Sequence, residues 1–571
     1  MGIKRAQGKK KKKKLGSLRG SGSGSGVETS SRRPKFVEKT PPCSAECPQG
    51  TDIRGVLTSI AQGEKNGRPR EELFNEAFYT IAAKNPLPAV CGRVCPHPCE
   101  TACNRNAVDE PASINSVERF IGDWGLQKDL PLLKTEEDAK EEKIAVVGSG
   151  PAGLAAAYHL AKRGYPVTIF EAFPNAGGML RYGIPAYRLP REVIDAEVQR
   201  ILDLGVELKT NVFVGRDVAM DDLHKEYKAV FVAIGAHSGR LLRLENEDKE
   251  NVWTGTKFLR LANEGQVSGI GNKVLVIGGG DTAIDAARVA RRLGSEEVTI
   301  VYRRTRTEMP AIEEEIVRAE EEGITLHFLA APSELQVEGD KVVRMVCQQM
   351  ELGEPDDSGR RRPVPIEGDT FTLECDTIVA AISQEPDFEG LENLREGRDW
   401  VKVDETGATK EADVYAGGDV LDLGLVTIAL AQGRIAADTI HCKLRGLDPA
   451  EHVEMPLIKS EKMQLAFYEK NERAKNEEIP PEQRFADPDA EIKSGLTEEQ
   501  LMNEAGRCLS CGMCFNCGTC WSFCQDSAIV KPLDPTEPYK FKLEFCKGCD
   551  KCAEQCPCGY IEMYDPMVSA G

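Results

Sequence analysis

Residues 506–524, GRCLSCGMCFNCGTCWSFC, hold six cysteines: Cys508, Cys511, Cys514, Cys517, Cys520 and Cys524. Cys546, Cys549, Cys552, Cys556 and Cys558 follow close behind. Thiols this dense suit metal chemistry, and two runs among them share one spacing. Cys546, Cys549, Cys552 and Cys556, followed by Pro557, are separated by two, two and three residues. Cys514, Cys517, Cys520 and Cys524 repeat that spacing, with Gln525 in the proline's place. This is the run that wraps [4Fe–4S] clusters in pairs, the fourth cysteine of each run crossing to the other cluster. One cluster is therefore expected on Cys514, Cys517, Cys520 and Cys556, the other on Cys546, Cys549, Cys552 and Cys524. The doubled spacing does not suit a zinc ribbon. Cys508, Cys511 and Cys558 are left over, as free thiols, a further site or alternative ligands.

Two stretches in the middle of the chain have the pattern of dinucleotide-binding folds. Ile144–Val147 reads as a buried parallel strand, and Gly148, Ser149, Gly150, Pro151, Ala152 and Gly153 follow as a glycine turn opening a helix. The first glycine makes the turn, the second admits a pyrophosphate, and the third lets the helix pack on the sheet. Glu171 ends the next strand, placed to accept hydrogen bonds from ribose hydroxyls. The pattern recurs at Gly278, Gly280, Asp281, Thr282 and Ala283, but Tyr302 stands where the acid would be, followed by Arg303 and Arg304. Arginines there suit a 2′-phosphate, so this site leans toward NADP over NAD. Two such folds suggest FAD in the first and nicotinamide in the second. Gly418 and Asp419 in DVYAGGDV suit the flavin's ribityl or pyrophosphate region, and the helix after them would aim its N-terminus at the isoalloxazine ring.

The motifs PPCSAECPQGTDIRG, CGRVCPHPCETAC, GGMLRYGIPAYRLP, GGGDTAIDAARVARRLG, VYRRTRTEMPA and AGGD, in this order, resemble the small (beta) subunit of glutamate synthase. The amino-terminal half of dihydropyrimidine dehydrogenase and the large subunit of ferredoxin–NADP transhydrogenase are similar. The resemblance covers about residues 40–445. It implies that Gly178, Leu180 and Arg181 line the FAD. It also implies a helical N-terminal domain with a cluster on Cys47, Cys95 and Cys99, whose fourth ligand in relatives is a Gln or Glu matching Glu118. Cys43 and Cys103 leave an all-cysteine set open. Relatives hold a second cluster there, using a Cys-x-x-Cys pair upstream. No cysteine precedes Cys43, so one cluster is expected in this domain and three [4Fe–4S] clusters in all.

The chain has 571 residues and a formal net charge of −19. Residues 1–39 carry 13 Lys and Arg against Glu28 and Glu38, a net +11, which reads as a disordered basic arm or a tether to an acidic partner. The expected layout is a multi-domain α/β chain. After the arm come a helical Fe–S domain over 40–138, an FAD domain split over 139–262 and 385–445, and an NAD(P) domain inserted at 263–384. A linker over 446–505, expected to wrap a surface, leads to an α+β two-cluster ferredoxin-like domain over 506–571. No apolar run long enough to span a membrane and no signal sequence is seen, and the cysteine pattern fits a reducing cytoplasm. No nucleic-acid-reading fold is apparent.

Between residues 104 and 507 there is no Cys-x-x-Cys, so a flavin here cannot hand electrons to an adjacent disulfide. The expected activity is an NAD(P)H:acceptor oxidoreductase, with electrons moving between nicotinamide, FAD and clusters to or from a protein partner. A homodimer is among the expected assemblies. No side-chain acid, base or nucleophile is needed for the hydride step. The tail, CWSFCQDSAIVKP through FKLEFCKGCDKCAEQCPCGYIEM, resembles the iron–sulfur flavoprotein that accompanies dissimilatory sulfite reductase in sulfur metabolism. A flavin subunit of a glutamate synthase or 2-oxoacid oxidoreductase type, or a non-enzymatic electron relay, are the alternatives.

Overall fold

Ile144–Val147 and Val167–Phe170 are buried at every residue and pair in parallel. A strand covered on both faces has no wet side, which is why each reads as an unbroken apolar run. The computed structural model, which describes residues 30–135, 138–357, 359–397, 400–448, 455–534 and 537–566, places both in a five-stranded parallel sheet. Its order is Val414–Ala416, Ala229–Val232, Ile144–Val147, Val167–Phe170 and Glu207–Lys209. The edge strand Val414–Ala416 thus arrives from far along the chain.

The intervening residues build a second parallel sheet, in the order Thr325–Phe328, Glu297–Tyr302, Lys273–Ile277, Thr377–Ala380 and Val252–Thr254. Val252–Thr254 lies before residue 263, the expected start of this unit, yet belongs to this sheet. The two crossings between sheets lie side by side, where Ser238–Gly239 pairs antiparallel with Gln384–Glu385. A three-stranded antiparallel sheet of Ala330–Glu338, Lys341–Pro355 and Arg361–Glu374 extends the second unit.

The N-terminal helices Ile53–Lys65, Arg70–Ala82, Pro88–Val94 and Ile114–Gln127 pack on the first sheet's unit. Pro88–Val94 and Ile114–Gln127 cross backbone to backbone. A Cβ on Gly92 would lie 2.3 Å from Arg119 Cα, and one on Gly122 would lie 2.3 Å from Ala89 N. The first sheet's unit caps the helix Pro88–Val94. Ala89 and Val90 donate their amides to buried Glu197, at 2.9 and 3.1 Å, supplying acceptors for otherwise orphaned donors.

The first and last described segments are tied together. Residues 1–29 of the basic arm lie outside the described residues, but its last part is ordered: Arg33–Phe36 is a strand paired antiparallel with Ile561–Tyr564. Lys39, within the expected disordered arm, is buried and donates to Gly559 O at 2.5 Å while pairing with Glu562 at 2.9 Å. The segment after 446 straps the second unit: buried Arg484 meets Glu322 at 3.3 Å and Glu478 at 3.4 Å. It then enters a core, which the linker reading did not anticipate. Thr497 and Gln500 form a capping box that starts the helix Glu498–Arg507, whose Leu501 and Ala505 join the N-terminal helical core. Among the described residues, no helix is long and apolar enough to cross a membrane.

Candidate functional site

A cavity of about 700 Å³ opens beyond the carboxyl ends of the first sheet's strands, where such sheets receive ligands. Gly148, Ser149, Gly150, Pro151 and Ala152 line it. Gly148 has φ +102°, and a Cβ there would lie 2.3 Å from Ala233 O. A Cβ on Gly153 would fall 2.0 Å from Gly148 O, so only glycine lets the helix Pro151–Lys162 seat on its own turn. A Cβ on Gly150 would meet no protein atom within 4 Å, because that glycine faces the cavity.

Glu171 is buried on the cavity wall and organises the turn. One of its oxygens accepts from the Ser149 amide at 2.9 Å and from the Ser149 hydroxyl. The other accepts from Phe173 N at 2.8 Å, leaving acceptor capacity for a ribose hydroxyl. Gly178 and Leu180 also line the cavity. Arg181, expected beside them, is not on the wall. Its guanidinium donates to Ala176 O at 2.7 Å and pairs with Asp195, which turns it to a different use.

Gly418 and Asp419 close another side. Gly418 N donates to Gln432 at 2.7 Å, and the Asp419 carboxyl, pushed up to about 6 by burial, accepts from Gly424 N at 3.2 Å. The helix Val426–Arg445 starts here, with Leu425, Val426 and Ala429 on the wall. It crosses Pro151–Lys162 closely, since a Cβ on Gly433 would lie 2.2 Å from Ala152 O. Two helix N-termini, glycines without side chains and flanking carboxyls make a cradle that fits an FAD. Thr254, Lys257 and Arg260 of the second unit complete the wall, though no motif in the sequence marks them.

The second glycine turn is built likewise. Gly278 has φ +146° and would clash with Ala381 O at 2.2 Å, whereas Gly280 meets only Pro310, at 3.9 Å. Asp281 accepts from Ile312 N at 3.0 Å, tying down the loop beside the turn. The Thr282 methyl sits against Gly255, 2.9 Å from where a Cβ would be. The Tyr302 ring lies against Gly279, and its hydroxyl donates to Glu308 O at 2.8 Å.

The two arginines after Tyr302 part company. Arg304 is buried and donates to Arg361 O and Asp356, both at 2.7 Å, so it braces the appended sheet and is unavailable to a 2′-phosphate. Arg303 is exposed, with no ion pair among the described residues. Arg303→Ala should weaken NADP(H) relative to NAD(H) by about 1.5–3 kcal/mol, the worth of a hydrogen bond to a charged group. Arg304→Ala should shift both nucleotides alike. Dissociation constants for both nucleotides check this, and equal losses from Arg303→Ala would remove it from phosphate recognition.

The cysteines separate into groups. Cys47, Cys95, Cys99 and Glu118 line one cavity of about 40 Å³ together with Thr427. The Glu118 carboxyl is pushed up to about 7 by burial and accepts from Asn85 Nδ2 at 2.9 Å. Cys43 and Cys103, left open as members of this set, do not line that cavity but a separate one. In the tail, Cys514, Cys517 and Cys556 surround Cys520, whose thiol is pushed up to about 12 by burial and then by their charge. Cys524, Cys546, Cys549 and Cys552 line another cavity, of about 20 Å³. Among the described residues no group of three or more His, Cys, Asp or Glu side chains is drawn together tightly enough to hold a metal ion as it stands. The donor sets fit [4Fe–4S] clusters. Cys91 is buried and exchanges weak contacts with Gln49 and Asn85, and Cys558 lies 3.8 Å from Cys556.

These features define a dinucleotide-dependent flavoprotein with iron–sulfur ligand sets at both ends. The chain belongs to the pyridine nucleotide-disulphide oxidoreductase family, whose model matches residues 142–433. Residues 28–130 match dihydropyrimidine dehydrogenase domain II, 4Fe-4S cluster. The chain is 40% identical to the NADP(+)-dependent formate dehydrogenase subunit beta of Moorella thermoacetica, over 83% of this chain and 70% of that one. It is 37% identical to the NADPH-Fe(3+) oxidoreductase subunit beta of Geobacter sulfurreducens, over 84% and 76%. It is 36% identical to the glutamate synthase [NADPH] small chain of Escherichia coli, over 70% and 88%. The protein is an FAD- and Fe–S-dependent NAD(P)H oxidoreductase. Despite the family's description, no cysteine lines the flavin cavity.

Proposed function

We propose that this chain is the subunit of a redox complex that exchanges electrons between NADP(H) and a partner protein. The observation that carries this is one helical turn. Val426 and Ala429 line the flavin cavity, while Thr427 between them lines the cavity of Cys47, Cys95, Cys99 and Glu118. The flavin and the first cluster site thus share a wall one helix thick. FAD, when bound, supplies the conversion of a hydride's electron pair into single electrons. The protein's share is positioning. Gly150 and Gly178 would admit the cofactor's phosphates, Glu171 would accept from its ribose hydroxyls, and the start of Val426–Arg445 would offer positive dipole to the flavin ring.

The spacing and placement of these ligand sets support one cluster in the helical domain and two in the tail, before the remaining cysteines are considered. The tail is the outlet to the partner, because Cys517 and Cys549 are exposed while the N-terminal ligands are half-buried or buried. Relatives named for formate dehydrogenase, Fe(3+) reduction and glutamate synthesis share a pyridine-nucleotide subunit and differ in what it serves, which favours a separate catalytic partner. The tail's own resemblance names a dissimilatory sulfite reductase for that role, in the cytoplasm. Co-purification from the native cell, with NADPH-driven reduction of the captured protein, tests the partner. A captured protein that gains no electrons from NADPH would overturn the outlet assignment.

A further inference from the structure

Of the cysteines that none of these sets absorbs, the fold brings four together, two from the helical domain and two from just before the tail's ferredoxin runs. Cys43, Cys103, Cys508 and Cys511 line one enclosed cavity with Leu57, Ile114 and Arg54 among its walls. We propose that these four thiolates hold a fourth [4Fe–4S] cluster, bridging the N-terminal helical domain and the tail. The proposal deepens the electron-transfer reading above and rests on it for its purpose, though not for its existence.

The geometry is that of a built site. The cavity is about 20 Å³, the same as the one among Cys524, Cys546, Cys549 and Cys552, where the ferredoxin run independently demands a cubane. All four sulfur-bearing side chains, Cys43, Cys103, Cys508 and Cys511, share the walls of this one cavity.

The loop carrying Cys508 and Cys511 is clamped onto the helical domain. Buried Arg54 donates to Cys511 O at 3.0 Å and to Lys39 O at 2.7 Å. Thr58 Oγ1 and Ser510 Oγ lie 2.9 Å apart, and Tyr468 OH donates to Leu509 O at 2.7 Å. Arg105, itself buried, donates to Arg507 O at 2.6 Å. Asn104 Nδ2 lies 3.6 Å from the Cys511 sulfur, a donor aimed at a thiolate. Buried polar groups cost stability unless satisfied, so such contacts mark a fixed junction in place of a loose linker.

The site also closes a gap. Leu57 and Ile114 line both this cavity and that of Cys47, Cys95, Cys99 and Glu118. On the other side, Cys511 is only three residues from Cys514, a ligand of the tail's own set. Flavin cavity, first cluster site, bridging site and tail sites therefore follow one another through shared walls and a short chain segment. The step at the bridge is a one-electron relay: one electron enters from the helical-domain side and one leaves to the tail, with no bond or proton exchanged at the thiolates. The nicotinamide hydride is the ultimate reductant and the partner the acceptor.

The test uses the full chain, reconstituted anaerobically with iron and sulfide, and counts iron, sulfide and flavin per chain. Four cubanes require about sixteen irons in the wild type. Cys508→Ser/Cys511→Ser and, separately, Cys43→Ser should each lose about four irons at unchanged flavin content. Combining them should lose no more, because all three positions serve one cluster. Cys558→Ser, at a buried thiol outside the four sets, should keep the full count. Dithionite-reduced EPR spectra should lose the same component in both cysteine variants. A wild type with about twelve irons, or variants that keep every iron, would overturn the bridging cluster. NADPH bleaching of the wild-type flavin is read separately. Its absence would sink the oxidoreductase direction proposed above while leaving the iron count to decide the site.

Discussion

Gly150→Val is expected to give a folded, iron-loaded protein that retains no flavin, whereas Gly153→Val is expected not to fold its first sheet unit. The two glycines stand three residues apart in one motif, and the structure separates their purposes. Gly150 sits at φ −69°, which any residue adopts, and its missing Cβ points into open cavity. A Cβ there meets no protein atom within 4 Å, so a valine side chain enters the space a pyrophosphate needs. Gly153 is different, because a Cβ would lie 2.0 Å from Gly148 O and 3.2 Å from Val146. Backbone cannot yield that far without lifting the helix Pro151–Lys162 off the sheet. Flavin absorbance against iron content, with circular dichroism for folding, separates the outcomes. Flavin retained at wild-type level by Gly150→Val would place the cofactor elsewhere.

The second large effect is on stability. Arg288 is fully buried and pairs with Glu315 and with Glu322, the latter at 2.7 Å. Arg292 and Arg484 reach the same Glu322, and Arg318 reaches Glu315. Arg288→Met removes one partner and leaves buried carboxylates undercompensated, which should destabilise the second sheet unit by about 3–5 kcal/mol. Removing both ends with Arg288→Met/Glu322→Leu should recover part of that loss. Breaking an exposed pair such as Lys225–Asp222 should change the unfolding temperature far less. The same network sets the acid limit. Burial raises Glu315 and Glu322, but their arginines outweigh it and hold both down to about 2. Their contribution is complete above the unfolded value of about 4.3 and is lost as pH falls from there toward 2. Asp285, raised to about 6 by burial against Arg188, acts oppositely above that window, so the loss is confined to strong acid. Thermal unfolding of the variants across pH reads both effects. No change on Arg288→Met would show the network to be dispensable.

What the sequence made legible is what local spacing encodes. The glycine turns, their strands and the two ferredoxin runs are contiguous, and each carries its own physical reason. Contacts between distant segments were harder to read. Arg303 and Arg304 look equivalent in sequence, but at the bend after the strand Glu297–Tyr302 one is buried against Asp356 and the other is left in water. Arg181 adjoins cavity residues on a short helix, yet its side chain reaches Asp195. Lys257 and Arg260 lie on a helix with no motif and reach the flavin cavity only because two sheets meet there. The leftover cysteines did carry a signal. Cys43, Cys103, Cys508 and Cys511 make up the proposed bridging set, but grouping them requires knowing that the first and last described segments pack together. The pairing of Arg33–Phe36 with Ile561–Tyr564 shows that they do, and periodicity alone says nothing of it.

Anaerobic mixing with NADPH, followed by stopped-flow absorbance, tests the central claim most directly. The account predicts that the flavin band bleaches first and the broader iron–sulfur absorbance follows, with NADPH oxidised in step with the electrons gained. Iron–sulfur centres that dithionite reduces while NADPH leaves both flavin and clusters oxidised would contradict it.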